Sequence, residues 1–129
     1  VRDNCRHVYY DWIARYDKHE TEVGRELVAK ALMAEGVPIW EGYVEPLYML
    51  PAFQRRIAIG GSGWPFILSE QSYEKGICPV TENLYENEVL EFCICCFELN
   101  QSEQDGVITA FQKVFENLNE LKNLGSLNE

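Results

Sequence analysis

The side chains best suited to chemistry cluster in one stretch of fourteen residues that begins at Trp40. Tyr43 and Tyr48 add rings that can pack on a ligand and hydroxyls that can hydrogen-bond to it. Glu41 and Glu45 are the two carboxylates that the sequence singles out as a candidate acid–base pair. Aromatic residues form core more often than they form sites, so the stretch predicts either a segment that plugs the core or a wall of a binding site.

Two prolines determine the local structure of this stretch. Pro46 and Pro51 each fix φ and remove a backbone donor, and each disfavours a helical conformation in the residue before it. We therefore expect an extended, largely apolar loop with a few polar tips. A loop of this kind is costly to order, which argues against a simple connection, and the core-plugging interpretation is favoured over a binding-site wall.

The bulk properties restrict the classes of protein and of partner. The 129 residues, 47% hydrophobic and 25% charged, are enough for one domain with a real core. A net charge of −10 argues against nucleic-acid or anionic-membrane binding. The sequence has no apolar run long enough to span a bilayer and no signal-peptide pattern, and it does not start with methionine, so we expect a piece of a longer cytoplasmic protein.

The five cysteines are odd in number and have no export signal beside them, which predicts reduced thiols in a cytoplasm. Cys93, Cys95 and Cys96 lie in a run with Ile94 and Phe97 that is typical of a buried strand. Paired C-x-x-C knuckles and nearby histidines are lacking, so we expect small core residues rather than a zinc site. A metal or redox protein built on the cysteines is the least favoured hypothesis.

The first half of the chain predicts a strand, a helix and a short strand. The aromatic and β-branched run at 7–16 is the first strand, and we expect both of its faces to be covered. A helix begins at Arg25 and ends at Gly36, a left-handed cap. A short strand at 37–40 follows, and Pro51 then opens one or two helical turns.

The second half predicts two more helices around a third strand. A helix starts at Pro79, with Val80 and Leu84 inward and Glu82 on a solvated face. A strand at 92–99 leads to a capping box at Asn100 or Ser102 and then a helix of about five turns, with a tail at 124–129 that frays. The predicted fold class is α/β, an α+β sandwich with about three strands covered by helices.

Several segments, in order, resemble the C-terminal small domain of the DegT/DnrJ/StrS family of pyridoxal-phosphate-dependent sugar aminotransferases. The resemblance covers nearly the whole chain, and its specific parts are a Tyr-x-x-Pro-Leu-His/Tyr-x-x-Pro-x-Phe loop and a Cys-Pro-Val-x-Glu-x-Leu piece. The similar segments are the strand at 7–10, the helix at 25–38, the loop at 42–53, the piece at 78–84 and the closing amphipathic helix.

This resemblance implies a fold-type-I enzyme that transfers an amino group from glutamate or glutamine to a keto-sugar or keto-cyclitol, in the assembly of lipopolysaccharide, glycans or antibiotics. Pyridoxal 5'-phosphate would lie mainly on a larger N-terminal domain, which supplies the Schiff-base lysine and the aspartate at the pyridine nitrogen. Such enzymes are usually homodimers with the active site near the interface, and the small domain closes over the substrate. We therefore expect residues 1–129 to be a single domain without catalytic or cofactor-binding residues of its own.

The resemblance also predicts the substrate-binding residues. Trp40, Tyr43, Glu45 and Tyr48 would face the substrate, where they would position it and exclude water rather than transfer protons. Many members have histidine where this chain has Gly42 and Tyr48. The Tyr48 form is closer to members that act on cyclitols or on less usual sugars.

The lysines limit what the isolated chain can do. None of the five lies in the family's cofactor-lysine context, so the fragment alone is expected to be inactive and to hold no cofactor. The alternative is a non-catalytic binding or interaction module derived from the aminotransferase domain. These lysines are Lys18, Lys30, Lys75, Lys113 and Lys122.

Overall fold

The computed structural model describes residues 2–125 of the chain, as three strands, six α-helices and several single turns. The strands are β1 (Trp12–Arg15), β2 (Ile39–Glu41) and β3 (Val89–Phe92). The helices are α1 (Lys18–Thr21), α2 (Arg25–Ala34), α3 (Pro51–Gln54), α4 (Pro79–Asn83), α5 (Gln101–Glu116) and α6 (Leu118–Gly125).

The three strands form one antiparallel sheet in the order β1-β3-β2. The central strand β3 alternates, with Leu90 and Phe92 buried and Glu91 pointing to the opposite face. Phe92 lies opposite Trp12 on β1 and opposite Ile39 on β2, so both outer strands begin at the level of Phe92.

Among residues 2–125, the buried core lies on one face of the sheet. Val28, Ala29 and Leu32 of α2 are fully buried beneath Phe92 and Ile39. The long helix α5 adds buried Ala110 and Val114 and the ring of Phe111, which stacks on Phe92 with ring centroids 5.0 Å apart. This confirms the expected small α+β domain of three strands covered by helices, but the covering is one-sided.

The predicted helix boundaries are confirmed where the sequence has glycine, proline or capping residues at the helix ends. Gly36, after α2, has φ +87°, a left-handed conformation that favours glycine. Pro51 and Pro79 stand at the starts of α3 and α4. Asn100 caps α5 in a full capping box with Glu103: its side chain accepts from the Glu103 N–H at 3.1 Å, and the Glu103 carboxylate accepts from the Asn100 N–H at 2.8 Å.

The strand predictions were wrong in extent. The first strand is only four residues long and its outer face is not covered, since Ile13 is half exposed. The third strand lies earlier than the predicted 92–99. Residues Cys93–Cys96 form a single 3₁₀ turn, in which Cys93 is half-buried and Cys95 and Cys96 are exposed, so the buried cysteine strand is a wrong prediction.

In the helix after Cys78, the exposures of Val80 and Glu82 are the reverse of those predicted. Val80 is 73% exposed, whereas Glu82 is only 6% exposed. The helix also continues into a π-helical turn, Leu84–Glu88, that leads directly into β3. At the C-terminus the predicted single helix is broken at Asn117; Leu124 belongs to α6, and the rest of the predicted fraying tail after Gly125 lies outside the described residues.

The segment between β2 and α4 forms a small aromatic cluster of its own. Phe53, Phe66 and Tyr73 pack with ring centroids 5.4–5.8 Å apart. The side chain of Gln54 donates to the carbonyls of Tyr48 at 2.7 Å and Tyr73 at 2.5 Å. Side-chain contacts, rather than the backbone hydrogen bonds of a β-sheet, therefore hold this segment together.

No helix in the described part of the chain combines the length and the apolar character that crossing a membrane requires.

Candidate functional site

The uncovered face of the sheet presents a row of three side chains. Ile13 of β1 and Trp40 of β2 lie opposite Glu91 of β3 on its two sides, and Trp40 is 48% exposed. Because side chains alternate along each strand, this row points away from the helical layer. We call Trp40, Glu91 and their neighbours Asp11, Tyr10 and Tyr43 the open-face cluster.

Two carboxyl groups meet in the open-face cluster. Partial burial, and then the nearby Asp11 carboxylate, raise the pKa of Glu91 above its usual range. Two carboxylates this close cannot both ionise freely, so Glu91 retains a proton more readily and can donate it to Asp11 in a hydrogen bond. Asp11 also accepts from the Trp12 N–H at 2.8 Å, which fixes it at the start of β1.

Tyr43 extends the cluster beyond the end of β2. Its hydroxyl interacts with that of Tyr10, which raises the pKa of Tyr43, and the carboxylates of Asp11 and Glu91 act in the same direction. The ring of Tyr43 is 43% exposed. The cluster thus combines three aromatic rings, two hydroxyls and two carboxyls, a set of groups that suits a ligand with several hydroxyls and an apolar side.

Gly42 places Tyr43 in this position. Its N–H donates to the Val89 carbonyl at 2.8 Å and its φ is +69°. A Cβ at this position would lie 3.1 Å from both the ring and the carbonyl of Tyr85, so the close approach and the left-handed conformation both require glycine. A side chain at position 42 would therefore be strained.

Tyr48 belongs to a second constellation, which we call the clasp: Tyr48, Gly76, Cys78 and Glu82. The Tyr48 hydroxyl donates to the Glu82 carboxylate, which also accepts from the Gly76 N–H at 2.7 Å and the Cys78 N–H at 3.5 Å. Burial, and then the Glu82 carboxylate, raise the pKa of Tyr48 to about 12. The hydrogen bonds from Tyr48 and then Gly76 lower the pKa of Glu82. A buried carboxylate thus joins the aromatic loop to the start of α4.

The four predicted substrate-binding residues fall into two places. Trp40 and Tyr43 lie in the open-face cluster. Tyr48 is half-buried in the clasp, where its hydroxyl is bonded to Glu82, and Glu45 is half-buried in the loop that joins Tyr43 to Tyr48. Their contact with a substrate remains a prediction.

Sequence reasoning missed Asp11, Glu91 and Glu82. A signal for Glu91 was present in the alternation of Leu90, Glu91 and Phe92, which places the carboxylate opposite the core, but it was lost because the strand was predicted to begin at Phe92. Glu82 offered no such signal, since its partner Tyr48 is 34 residues away in the chain.

The described residues include no group of three or more histidine, cysteine, aspartate or glutamate side chains that could hold a metal ion. The chemistry that the open-face cluster supports is hydrogen bonding and ring stacking.

Comparison of the chain with protein-family models, with curated proteins and with solved structures found no match.

Replacing the buried carboxylate tests the clasp. Glu82→Gln keeps the size of the side chain but removes the charge that Tyr48 and Gly76 bond to, so we expect thermal unfolding near neutral pH at a midpoint several degrees lower. The pKa of Glu82 is lowered on folding, so its contribution exists above the ordinary value of 4.5 and is lost as pH falls through the folded-state pKa. The gap between wild type and variant should therefore shrink in acid, as circular dichroism across pH would measure.

Glu86→Gln is the matched control. It makes the same change on an exposed carboxylate that pairs with Lys75, and such surface pairs contribute little. Equal losses in the two variants, or a loss in Glu82→Gln that is independent of pH, would contradict the clasp.

Proposed function

We propose that this chain is the small domain of a pyridoxal-phosphate-dependent aminotransferase that aminates a keto-sugar or keto-cyclitol. The clasp is the observation that supports this proposal most directly. The two segments with the most specific resemblance to the DegT/DnrJ/StrS family, at 42–53 and 78–84, are distant in sequence, and the Tyr48–Glu82 hydrogen bond joins them. The resemblance thus corresponds to one structural unit beside the open face of the sheet.

The surface of the chain supports a role inside a larger assembly. Its accessible area is 9714 Å². A monomeric protein of 14.9 kDa exposes about 7,000 Å², so about 2,700 Å² is in excess. Several large apolar side chains contribute to the exposed surface, and exposed apolar surface is typical of places that another domain or subunit covers. The apolar residues that are more than 60% exposed are Val8, Tyr10, Leu47, Ile59, Ile67, Leu68 and Val80.

Three of the five lysines of this chain have ion-pair partners that do not suit the role of a cofactor lysine. Lys75, Lys113 and Lys122 form ion pairs with the carboxylates of surface glutamates. The pair with Glu86 raises the pKa of Lys75, the opposite of what an amine that attacks an aldehyde needs. Under the proposal, the cofactor is therefore bound by another, larger domain, and no step of the transfer is assigned to this chain.

The contribution of this chain is to bind and shield the acceptor. In the proposal, the ring of Trp40 packs on the apolar side of the substrate, while the Tyr43 hydroxyl donates or accepts hydrogen bonds and the Glu45 carboxylate accepts them from the substrate hydroxyls. Tyr48 shapes the adjacent wall through its ring, because its hydroxyl is bonded to Glu82. Glutamate or glutamine is the amino donor, and a homodimer is the proposed assembly.

The decisive test of this function uses the full gene product that contains this sequence. We expect it to bind pyridoxal phosphate with a new visible absorbance, and borohydride reduction followed by peptide mapping should place the modified lysine outside residues 1–129. Absence of a modified lysine would contradict the enzyme and favour the non-catalytic binding module. Modification of any of the five lysines within residues 1–129 would contradict the proposal that another domain binds the cofactor.

A conservative substitution tests the substrate role of the open-face cluster. Tyr43→Phe keeps the ring and removes the hydroxyl, so we expect the KM for the preferred acceptor, chosen from a panel of keto-sugars and keto-cyclitols, to rise about three- to tenfold. The KM for the amino donor should be unchanged. Tyr9→Phe is the control, since Tyr9 is also half exposed but packs on the ring of His7. An unchanged KM in Tyr43→Phe, or an equal rise in Tyr9→Phe, would contradict the role.

A further inference from the structure

Two cysteines meet at the end of the central strand. After Phe92 the chain makes one 3₁₀ turn, Cys93–Cys96, in which the first and fourth residues stand on the same side. The two sulfur atoms, Sγ of Cys93 and Sγ of Cys96, are 2.7 Å apart. A disulfide needs about 2.05 Å, so the backbone of this turn already holds the pair within bonding reach.

The two thiols differ in their surroundings. Cys93 is half-buried, and its sulfur lies against the sulfur of Cys96, which is exposed. This contact with Cys96, then burial, and then the carboxylates of Asp11 and Glu91 raise the pKa of Cys93 to about 11. Because the sulfur of Cys96 is exposed, an oxidant reaches it first, and Cys93, half-buried against it, is placed to act second.

We propose that Cys93 and Cys96 form a redox-active pair that low-molecular-weight disulfides oxidise to an intrachain disulfide. The Cys96 thiolate attacks one sulfur of the oxidant and releases its other half as a thiol, which leaves a mixed disulfide on Cys96. Cys93 then loses its proton and attacks the Cys96 sulfur, and the second half of the oxidant leaves as a thiol. Two protein thiols lose two electrons and two protons, and one oxidant disulfide becomes two thiols.

The remaining cysteines provide internal controls. Cys95 lies between the partners and is exposed, and Cys5 and Cys78 are exposed elsewhere on the chain. General thiol reactivity would modify these three as well, whereas the proposal predicts selectivity for one pair.

The experiment titrates the reduced protein with glutathione disulfide, alkylates the remaining thiols and counts them by mass spectrometry. Wild type and Cys95→Ser should each lose two alkylatable thiols. Cys93→Ser should lose the intrachain disulfide and accumulate glutathione on Cys96. Cys96→Ser should form neither the disulfide nor a glutathione adduct on Cys93.

Three results would overturn the proposal. The first is retention of all five thiols in the wild type. The second is an intrachain disulfide in Cys93→Ser, which would show that Cys96 does not need Cys93 as its partner. The third is formation of glutathione adducts on Cys5 and Cys78 as readily as on Cys96. Each of these readouts is a mass, so none depends on the activity of the protein.

Discussion

The alternation of side chains along β3 is the constraint on which the rest of the structure depends. Leu90 and Phe92 point into the helical layer, and Glu91 between them must then point to the other face. The same strand therefore builds the core and positions the carboxyl group of the open-face cluster. A shift of one residue in register would exchange the two faces, placing a carboxylate in the core and Phe92 in the open.

The clasp helps to order the long segment between β2 and α4, which has little regular secondary structure. Between β2 and α4 the chain relies on an aromatic cluster, on Gln54 and on the buried carboxylate of Glu82. Burying a carboxylate is costly unless donors surround it, and here one hydroxyl and two backbone N–H groups do so. The loop that carries Tyr43 and Glu45 is in this way anchored at both of its ends, by Gly42 on Val89 and by Tyr48 on Glu82.

The parts of the fold that could be predicted from sequence are those fixed by local chemistry. Gly36, Pro79 and Asn100 mark helix ends because their backbone or side chain permits few alternatives. The length of β3 could not be predicted in this way, because it depends on its neighbours. Both outer strands start opposite Phe92, so the β-prone cysteine run beyond it has no strand to pair with and turns. The inward orientation of Glu82 likewise depends on a partner far away in the chain, which no local pattern reveals.

The central claim is that the open face of the sheet and the loop beside it are covered in the working protein. Hydroxyl-radical footprinting of the full gene product tests this directly, with each residue normalised to its intrinsic reactivity. Trp40 and Phe115 are similarly exposed on this chain, at 48% and 40%, but Trp40 lies on the open face and Phe115 on α5. We predict that Trp40 is strongly protected from hydroxyl radicals and that Phe115 is labelled normally. Equal labelling of the two residues would contradict it.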